Sequence, residues 1–161
     1  MTLYILRHGI AEEAAPGGDD RARRLTARGR AKLRAAAEGM KAFGIRFDVL
    51  LTSPLVRARE TAAIVSEVYG KSPVPRELAA LASGVSPGET VRALKPYARS
   101  HAVMIVGHEP GLSGVAALLL TGSPDGVRLA LKKGGLIALD VGGGNATLRS
   151  LLSPRQLRRL G

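Results

Sequence analysis

Three mainly apolar runs, each followed by a helical pattern, constrain most strongly what this chain can fold into. They cover residues 3–6, 47–51 and 102–106. A strand that is covered on both faces has no solvent side, so it forms a continuous apolar run rather than an alternating one. Repeated strand and helix patterns of this kind predict an α/β three-layer sandwich, in which a mainly parallel sheet carries helices on both faces.

The first two helices are predicted from signals at their ends. Thr26 is placed to cap a helix that runs to about Gly44, where glycine favours a stop. After the second strand, we expect Ser53 to cap the next helix with Pro54 in its first turn. Residues 11–24 are rich in glycine and charge, which predicts a surface loop before the first helix.

The rest of the chain repeats the alternation and ends in antiparallel character. Residues 73–81 are expected to hold a short extended segment, and a capping box at Ser86-Pro87-Gly88-Glu89 opens a helix that Pro96 ends. Another helix is predicted from about residue 111 to 120. Two further strands, at 136–141 and 146–152, flank a turn of three glycines. Ser153-Pro154 then begins a short C-terminal helix.

The length and composition bound the class of protein. The 161 residues fit one domain covering residues 1–161. The chain has no cysteine, which excludes disulfides and thiolate metal sites and makes the cytoplasm the default expectation. No stretch reaches the roughly eighteen apolar residues of a membrane-spanning helix, so we expect a soluble, untargeted protein.

The formal charge of +11, from 24 basic and 13 acidic residues, favours anionic partners. Nucleic acid, anionic lipid and phosphorylated substrates would all be attracted by long-range electrostatic steering. The charge alone does not choose among these partners.

Histidine and arginine side chains follow all three predicted strands. Arg7 and His8 come after the first strand, Arg57 lies in the first turn of the helix after the second, and His108 comes after the third. In open α/β sheets, ligands bind beyond the carboxyl ends of the strands. If these strands are neighbours, the sequence predicts a pocket of two guanidiniums and two imidazoles.

Such a pocket suits a phosphoryl group. Guanidiniums stay charged and make paired hydrogen bonds to phosphate oxygens. A neutral imidazole nitrogen aimed at phosphorus is a nucleophile, and we expect Arg7 and its neighbours to lower the pKa of His8. His108, when protonated, would stabilise the charge that develops during transfer.

Four motifs in order resemble those of the histidine phosphatase superfamily, which has the phosphoglycerate mutase-like fold. They are LRHGIAE at 6–12, LTARG at 25–29, TSPLVRARETA at 52–62 and VGHEPGLS at 106–113. The short chain and the GHEP form are most similar to the SixA-type phosphohistidine phosphatases. The resemblance implies a phosphatase in which His8 itself becomes phosphorylated during the reaction. It also implies that Arg7 and Arg57 bind the phosphoryl oxygens and that His108 completes the pocket.

The resemblance also carries expectations about cofactors and partners. It implies no metal and no cofactor, and a backbone carbonyl that orients the nucleophilic histidine. The expected substrate is a phosphorylated protein or small phosphate, including a histidine-containing phosphotransfer protein, with no membrane partner.

One departure from the family pattern concerns the general acid. Mutases and broad phosphatases carry an acidic residue after the third strand region, but neither Glu77 nor Glu89 sits in that pattern, and Glu89 is explained as a helix cap. Glu109 is a late acid or orients its loop. A phosphoramidate leaves as neutral imidazole and needs an acid less than an alkoxide does, which favours phosphohistidine as substrate.

Several other polar residues have plainer explanations. His101 precedes its strand and is expected in a solvated loop, and Arg59 is expected to pair with Glu60 or another neighbour. A zinc site at His8 and His108 is disfavoured by the adjacent charge of Arg7 and by the absence of zinc ligand spacing. The basic stretches at 21–34 and 155–160 are solvated helix faces or help to dock an acidic phosphoprotein.

Two alternative functions remain open. A phosphomonoesterase of the same mechanism would act on a sugar or nucleotide phosphate. A basic nucleic-acid-binding module would use the same arginines and histidines, although aromatic residues make up only 3% of the chain and offer few stacking platforms.

Overall fold

The computed structural model describes residues 1–161 and contains six strands and five α-helices. The strands are β1 (Thr2–Arg7), β2 (Val49–Thr52), β3 (Arg76–Glu77), β4 (Ala102–Gly107), β5 (Leu136–Gly142) and β6 (Asn145–Leu152). The helices are α1 (Ala27–Ala42), α2 (Val56–Val68), α3 (Pro87–Leu94), α4 (Gly111–Thr121) and α5 (Pro154–Leu157). None of the helices combines the length and apolar character needed to cross a bilayer.

The strands form one sheet in the order β3-β2-β4-β1-β5-β6. The pairs β1–β4, β2–β4 and β2–β3 are parallel, whereas β5 runs antiparallel to both β1 and β6. The predicted mainly parallel sheet is therefore confirmed. This order makes β2, β4 and β1 neighbours, so their carboxyl ends meet at one edge.

Apolar side chains fill both faces of the sheet. Helices α1, α2 and α5 pack on one face through residues such as Met40, Val65 and Leu157. Helices α3 and α4 pack on the other face through Leu94 and Val115. Both faces are covered, which explains why the central strands read as continuous apolar runs and confirms the three layers.

Most predicted helix signals are confirmed. The Thr26 hydroxyl accepts a hydrogen bond from the Gly29 amide at 2.9 Å, and Ser86 and Glu89 form the reciprocal capping box of α3. Helix α3 ends at Leu94, and Pro96 lies in a short 3₁₀ turn that follows it.

The prediction that Ser53 caps α2 is wrong. The helix begins at Val56 with Leu55 as its N-cap residue and no side-chain cap, so Pro54 also lies outside its first turn. The Ser53 hydroxyl instead accepts from the Leu55 amide at 3.2 Å and lies 2.8 Å from Nε2 of His108. The Ser53 hydroxyl, which the local sequence assigned to the helix cap, therefore contacts His108 at the end of a different strand.

Candidate active site

The four predicted site residues come together at the carboxyl edge of the sheet. Arg7 ends β1 beside Gly107 of β4, and the His8 amide donates to the Gly107 carbonyl at 3.1 Å. The His8 and His108 ring centroids are 5.1 Å apart. His8, Arg57 and His108 are each at most 6% exposed. Two imidazoles and two guanidiniums thus lie close enough for the charges of His108, Arg57 and Arg7 to act on His8.

A backbone carbonyl orients His8. Its Nδ1 lies 2.7 Å from the Gly9 carbonyl oxygen, which can only accept a hydrogen bond. Nδ1 must therefore carry the proton, and Nε2 keeps a lone pair that no protein group uses. This is the tautomer that a nucleophilic imidazole requires.

The loop after His8 is held by the LTARG segment and by α2. The Gly9 amide donates to the Thr61 hydroxyl at 3.1 Å, and the Thr26 amide donates to the Ile10 carbonyl at 3.0 Å. A side chain at Gly29 would overlap that same carbonyl oxygen of Ile10, so only glycine allows α1 to approach this closely. The segment fixes the backbone that orients the His8 ring.

The environment keeps His8 neutral. Burial is the main cause that lowers its pKa from 6.5 to about 3, and it outweighs the opposing hydrogen bond that Nδ1 donates to the Gly9 carbonyl. The charges of His108, Arg57 and Arg7 lower the pKa further. The predicted lowering of the His8 pKa is confirmed. The arginines are a secondary cause of it, since burial contributes more, and the sequence did not reveal how deeply the ring is buried.

The two ring nitrogens of His108 have different surroundings. Its Nε2 contacts the Ser53 hydroxyl, and its Nδ1 is buried without a hydrogen-bond partner in the protein. Burial, followed by the charge of Arg57, lowers the pKa of His108 from 6.5 to about 4. A serine hydroxyl has one proton and two lone pairs, so Ser53 can accept from Leu55 and also donate to Nε2, and in that arrangement Nδ1 of His108 carries the proton.

The two arginines have different partners. Arg7 donates from one terminal nitrogen to the Leu131 carbonyl at 3.0 Å. Arg57 donates to the Asp20 carbonyl at 2.8 Å and to an Asp20 carboxylate oxygen at 3.1 Å. Asp20 belongs to the polar loop between β1 and α1. Nothing in its local sequence set it apart from Asp19, so only the folded loop reveals this contact.

Four buried side-chain polar atoms in the protein lack a hydrogen-bond partner, and all four lie at this site. They are Nε of Arg7, Nε of Arg57, Nδ1 of His108 and Oε1 of Glu109. Buried polar atoms are otherwise almost always paired, so this cluster makes the site a candidate for binding a polar ligand. Three of the four are nitrogens suited to donate to an anion.

Glu109 directly follows His108 and is the acidic candidate with one buried, unpartnered oxygen. Its Oε2 lies 2.6 Å from the Ser113 hydroxyl, while Oε1 is buried and unpartnered. Burial raises the pKa of this carboxyl, although the Ser113 hydrogen bond and the charge of Arg7 oppose the rise. A carboxyl group with a raised pKa keeps its proton to a higher pH, which makes Glu109 a candidate proton donor.

The other acidic candidates lie outside the pocket. Glu77 pairs with Arg59 at 3.3 Å on the edge strand β3, so Arg59 pairs with a different neighbour than Glu60. Glu89 is used in the cap of α3. His101 is exposed before β4, as expected.

The chain contains no group of three or more histidine, aspartate or glutamate side chains that could hold a metal ion. An open cavity of about 840 Å³ adjoins Glu109 and is lined by the loops at residues 84–87, 109–114 and 124–129. None of the four predicted site residues lines this cavity, so Glu109 is its link to the site.

The chain is similar in sequence to a known protein family and to several known proteins. Residues 3–82 match the family model of the histidine phosphatase superfamily (branch 1). An uncharacterised protein from Picosynechococcus sp. is 36% identical over 144 residues, which cover 88% of this chain and 86% of that protein. A 2,3-bisphosphoglycerate-dependent phosphoglycerate mutase from Methylobacterium radiotolerans is 51% identical over 77 residues, 45% of this chain but only 35% of the mutase.

Solved structures share the fold over nearly the whole chain. The protein histidine phosphatase SixA, complexed with tungstate, has a TM-score of 0.86 at 24% identity and covers 98% of this chain and 99% of its own. The alpha-ribazole phosphatase from Shigella flexneri has a TM-score of 0.77 at 20% identity, covering 96% and 97%. The predicted fold and enzyme class, a phosphatase, are confirmed. The chain belongs to the histidine phosphatase superfamily.

Proposed function

We propose that this protein is a metal-independent phosphohistidine phosphatase that acts through a phosphoenzyme intermediate on His8. The observation that carries the proposal is the free Nε2 of neutral His8 beside unpartnered nitrogens of Arg7, Arg57 and His108. The fold shared with SixA supports this assignment. The absence of cysteine supports action in a reducing compartment such as the cytoplasm. We assign the activity to the whole chain, as one domain.

In the first step, the Nε2 lone pair of His8 forms a bond to phosphorus, and the bond between phosphorus and the substrate nitrogen breaks. The electron pair stays on that nitrogen, so a substrate ring that is protonated at its other nitrogen leaves as neutral imidazole. Arg7, Arg57 and His108 donate to the three equatorial oxygens as charge builds on them.

In the second step, a water oxygen attacks phosphorus and the bond to His8 Nε2 breaks. Both hydrogens of the water leave with the inorganic phosphate, and His8 returns to its neutral form with the proton still on Nδ1. The Gly9 carbonyl holds that proton in place throughout, so the ring does not change tautomer between steps.

A second candidate function is hydrolysis of a small phosphate monoester. The observation that favours it is Glu109, whose buried carboxyl lies beside the pocket and next to the open cavity, where it could protonate an alkoxide. The alpha-ribazole phosphatase has the same fold, so the fold alone does not select the leaving group.

The decisive experiment uses labelled phosphohistidine peptide mixed with the protein and quenched rapidly in alkali. We expect label on His8 in an adduct that is stable in alkali and labile in acid. The adduct should be absent in His8→Ala and unchanged in His101→Ala, which removes an exposed histidine away from the pocket. Label on another residue would refute the proposed nucleophile.

The substrate is tested by comparing kcat/KM for phosphohistidine peptide with that for alkyl phosphates. We expect phosphohistidine to be preferred, because its leaving group departs neutral. A strong preference for alkyl phosphates, with the His8 adduct still forming, would support the monoesterase instead.

A further inference from the structure

A second cationic feature lies outside the pocket, between α1, α5 and the loop before β5. This basic cleft has a volume of about 280 Å³ and is lined by twelve residues. Five of them are cationic: Lys32, Lys132, Lys133, Arg155 and Arg158. None of the twelve is acidic. The basic stretches at 21–34 and 155–160 each contribute to the cleft, and Lys132 and Lys133 come from the loop before β5.

The charges of the basic cleft are not balanced within the protein. None of its five cationic side chains takes part in any of the seven salt bridges of the structure. Elsewhere in the same basic stretch, Arg24 and Arg30 share Glu60, and Arg34 pairs with Glu67. Gathering like charges without a counter-charge costs stability, and an anionic partner would relieve that repulsion.

The basic cleft lies at the same edge of the sheet as the active site. It contains Gly9, which directly follows His8, and it contains residues 153–155 and Arg158, which follow the carboxyl end of β6. Only β5 separates β1 from β6, so the two strand ends are about 10 Å apart. The Gly134 amide in the wall of the cleft donates to the carbonyls of Arg7 and His8, both at 3.0 Å.

We propose that the basic cleft binds acidic side chains that flank the phosphorylated residue of a protein substrate. The inference rests on the proposed function, because it requires a substrate that extends beyond the phosphoryl group. Lys132, Lys133 and Arg155 are exposed, and the charges sit on long side chains from separate segments. Such an arrangement suits a run of carboxylates rather than one compact ion, which would call for buried, converging donors.

The test compares two phosphohistidine peptides of equal length, one with aspartate and glutamate on both flanks and one with asparagine and glutamine. We expect the wild-type enzyme to have a lower KM for the acidic peptide and similar kcat for both. The double variant Lys132→Ala, Lys133→Ala should raise KM for the acidic peptide about three- to tenfold. It should leave kcat/KM for p-nitrophenyl phosphate unchanged.

The matched control is Lys95→Ala, Arg99→Ala, which removes the same charge. Both residues are exposed and precede β4, at the opposite edge of the sheet. This control should keep the low KM for the acidic peptide. Added salt should raise the wild-type KM for the acidic peptide more than that of the cleft variant, because fewer charge contacts remain to be screened.

Several results would overturn the inference. Equal KM values for the two peptides in the wild type, or an equal loss in the cleft variant and the control, would refute it while leaving the phosphatase proposal intact. Equal peptide kinetics together with lost affinity of the cleft variant for duplex DNA would assign the cleft to nucleic acid. Hydrolysis of small esters with no turnover of either peptide would refute the proposed substrate and this inference together.

Discussion

At the scale of single residues, Glu109 shows how burial changes the chemistry available to a carboxyl group. It follows His108 directly, and one of its oxygens is buried without a partner. Burial raises its pKa, so this carboxyl keeps its proton to a higher pH than an exposed glutamate does. Of the three glutamates considered as general acid, Glu109 is the one that adjoins a predicted site residue in the chain.

We predict that Glu109→Gln slows substrates according to their leaving groups. The specificity constant kcat/KM for alkyl phosphates should fall about a hundredfold, because an alkoxide needs a proton to leave. The loss for p-nitrophenyl phosphate should be small, and Glu89→Gln, in the cap of α3, should change neither. A series of esters with different leaving-group pKa values measures this, and an equal loss across the series would show that Glu109 only orders its loop.

Asp20 is the residue that the structure adds to the predicted site. Its carboxylate and its carbonyl each accept from one terminal nitrogen of Arg57, so they compete with a phosphoryl group for this guanidinium. The carboxylate is itself half exposed, so the loop that carries it can move away without opening the core.

We predict that Asp20→Ala strengthens inhibition by inorganic phosphate by about two- to fivefold, as expected for one partly exposed charge contact. Removing the carboxylate frees Arg57 and removes a repulsive charge. Glu13→Ala removes the same charge from the same loop without contact to Arg57 and should have a smaller effect. Weaker inhibition in Asp20→Ala would mean that Asp20 instead holds Arg57 in its binding position.

At the scale of elements, close backbone approaches of α1 shape both the site and the basic cleft. Gly29 lets the helix meet the loop after His8, and Gly39 lets it meet the carbonyl of Leu157 in α5. In both cases a side-chain carbon would overlap a backbone oxygen, so the helices or loops would have to separate.

We predict that Gly39→Ala lowers the free energy of unfolding by about 1–3 kcal/mol, the usual cost of overpacking a core. Gly88→Ala in α3 is the matched control, since open space surrounds that position and alanine favours helix. Gly88→Ala should be neutral or slightly stabilising. Urea unfolding measures both, and equal stability of the two variants would show that α5 docks loosely on α1.

At the scale of the whole molecule, the two buried histidines link stability to pH. The pKa values of His8 and His108 are about 3 and about 4 in the folded state, against 6.5 when unfolded. Below pH 6.5 the unfolded chain therefore binds more protons than the folded protein, and stability falls as the pH falls. Glu109, whose pKa is raised, acts in the opposite direction.

We predict that the free energy of unfolding falls between pH 6.5 and 5, with each buried histidine contributing up to about 1.4 kcal/mol per pH unit. His8→Gln should have a smaller pH slope, and His101→Gln, at an exposed position, should keep the wild-type slope. Urea unfolding at a series of pH values measures the slopes. An unchanged slope in His8→Gln would show that His8 is not kept neutral by folding.

The sequence by itself determined the alternation of strands and helices, the strand ends that carry Arg7, His8 and His108, and the first-turn position of Arg57. These follow from local patterns, because apolar periodicity and end signals act over a few residues. Tertiary structure decided that Asp20 pairs with Arg57 and that the Ser53 hydroxyl contacts His108 rather than capping a helix. It also decided the burial that keeps His8 neutral and the formation of the basic cleft. Each of these depends on groups distant in the chain, whose meeting is set by the order of strands in the sheet.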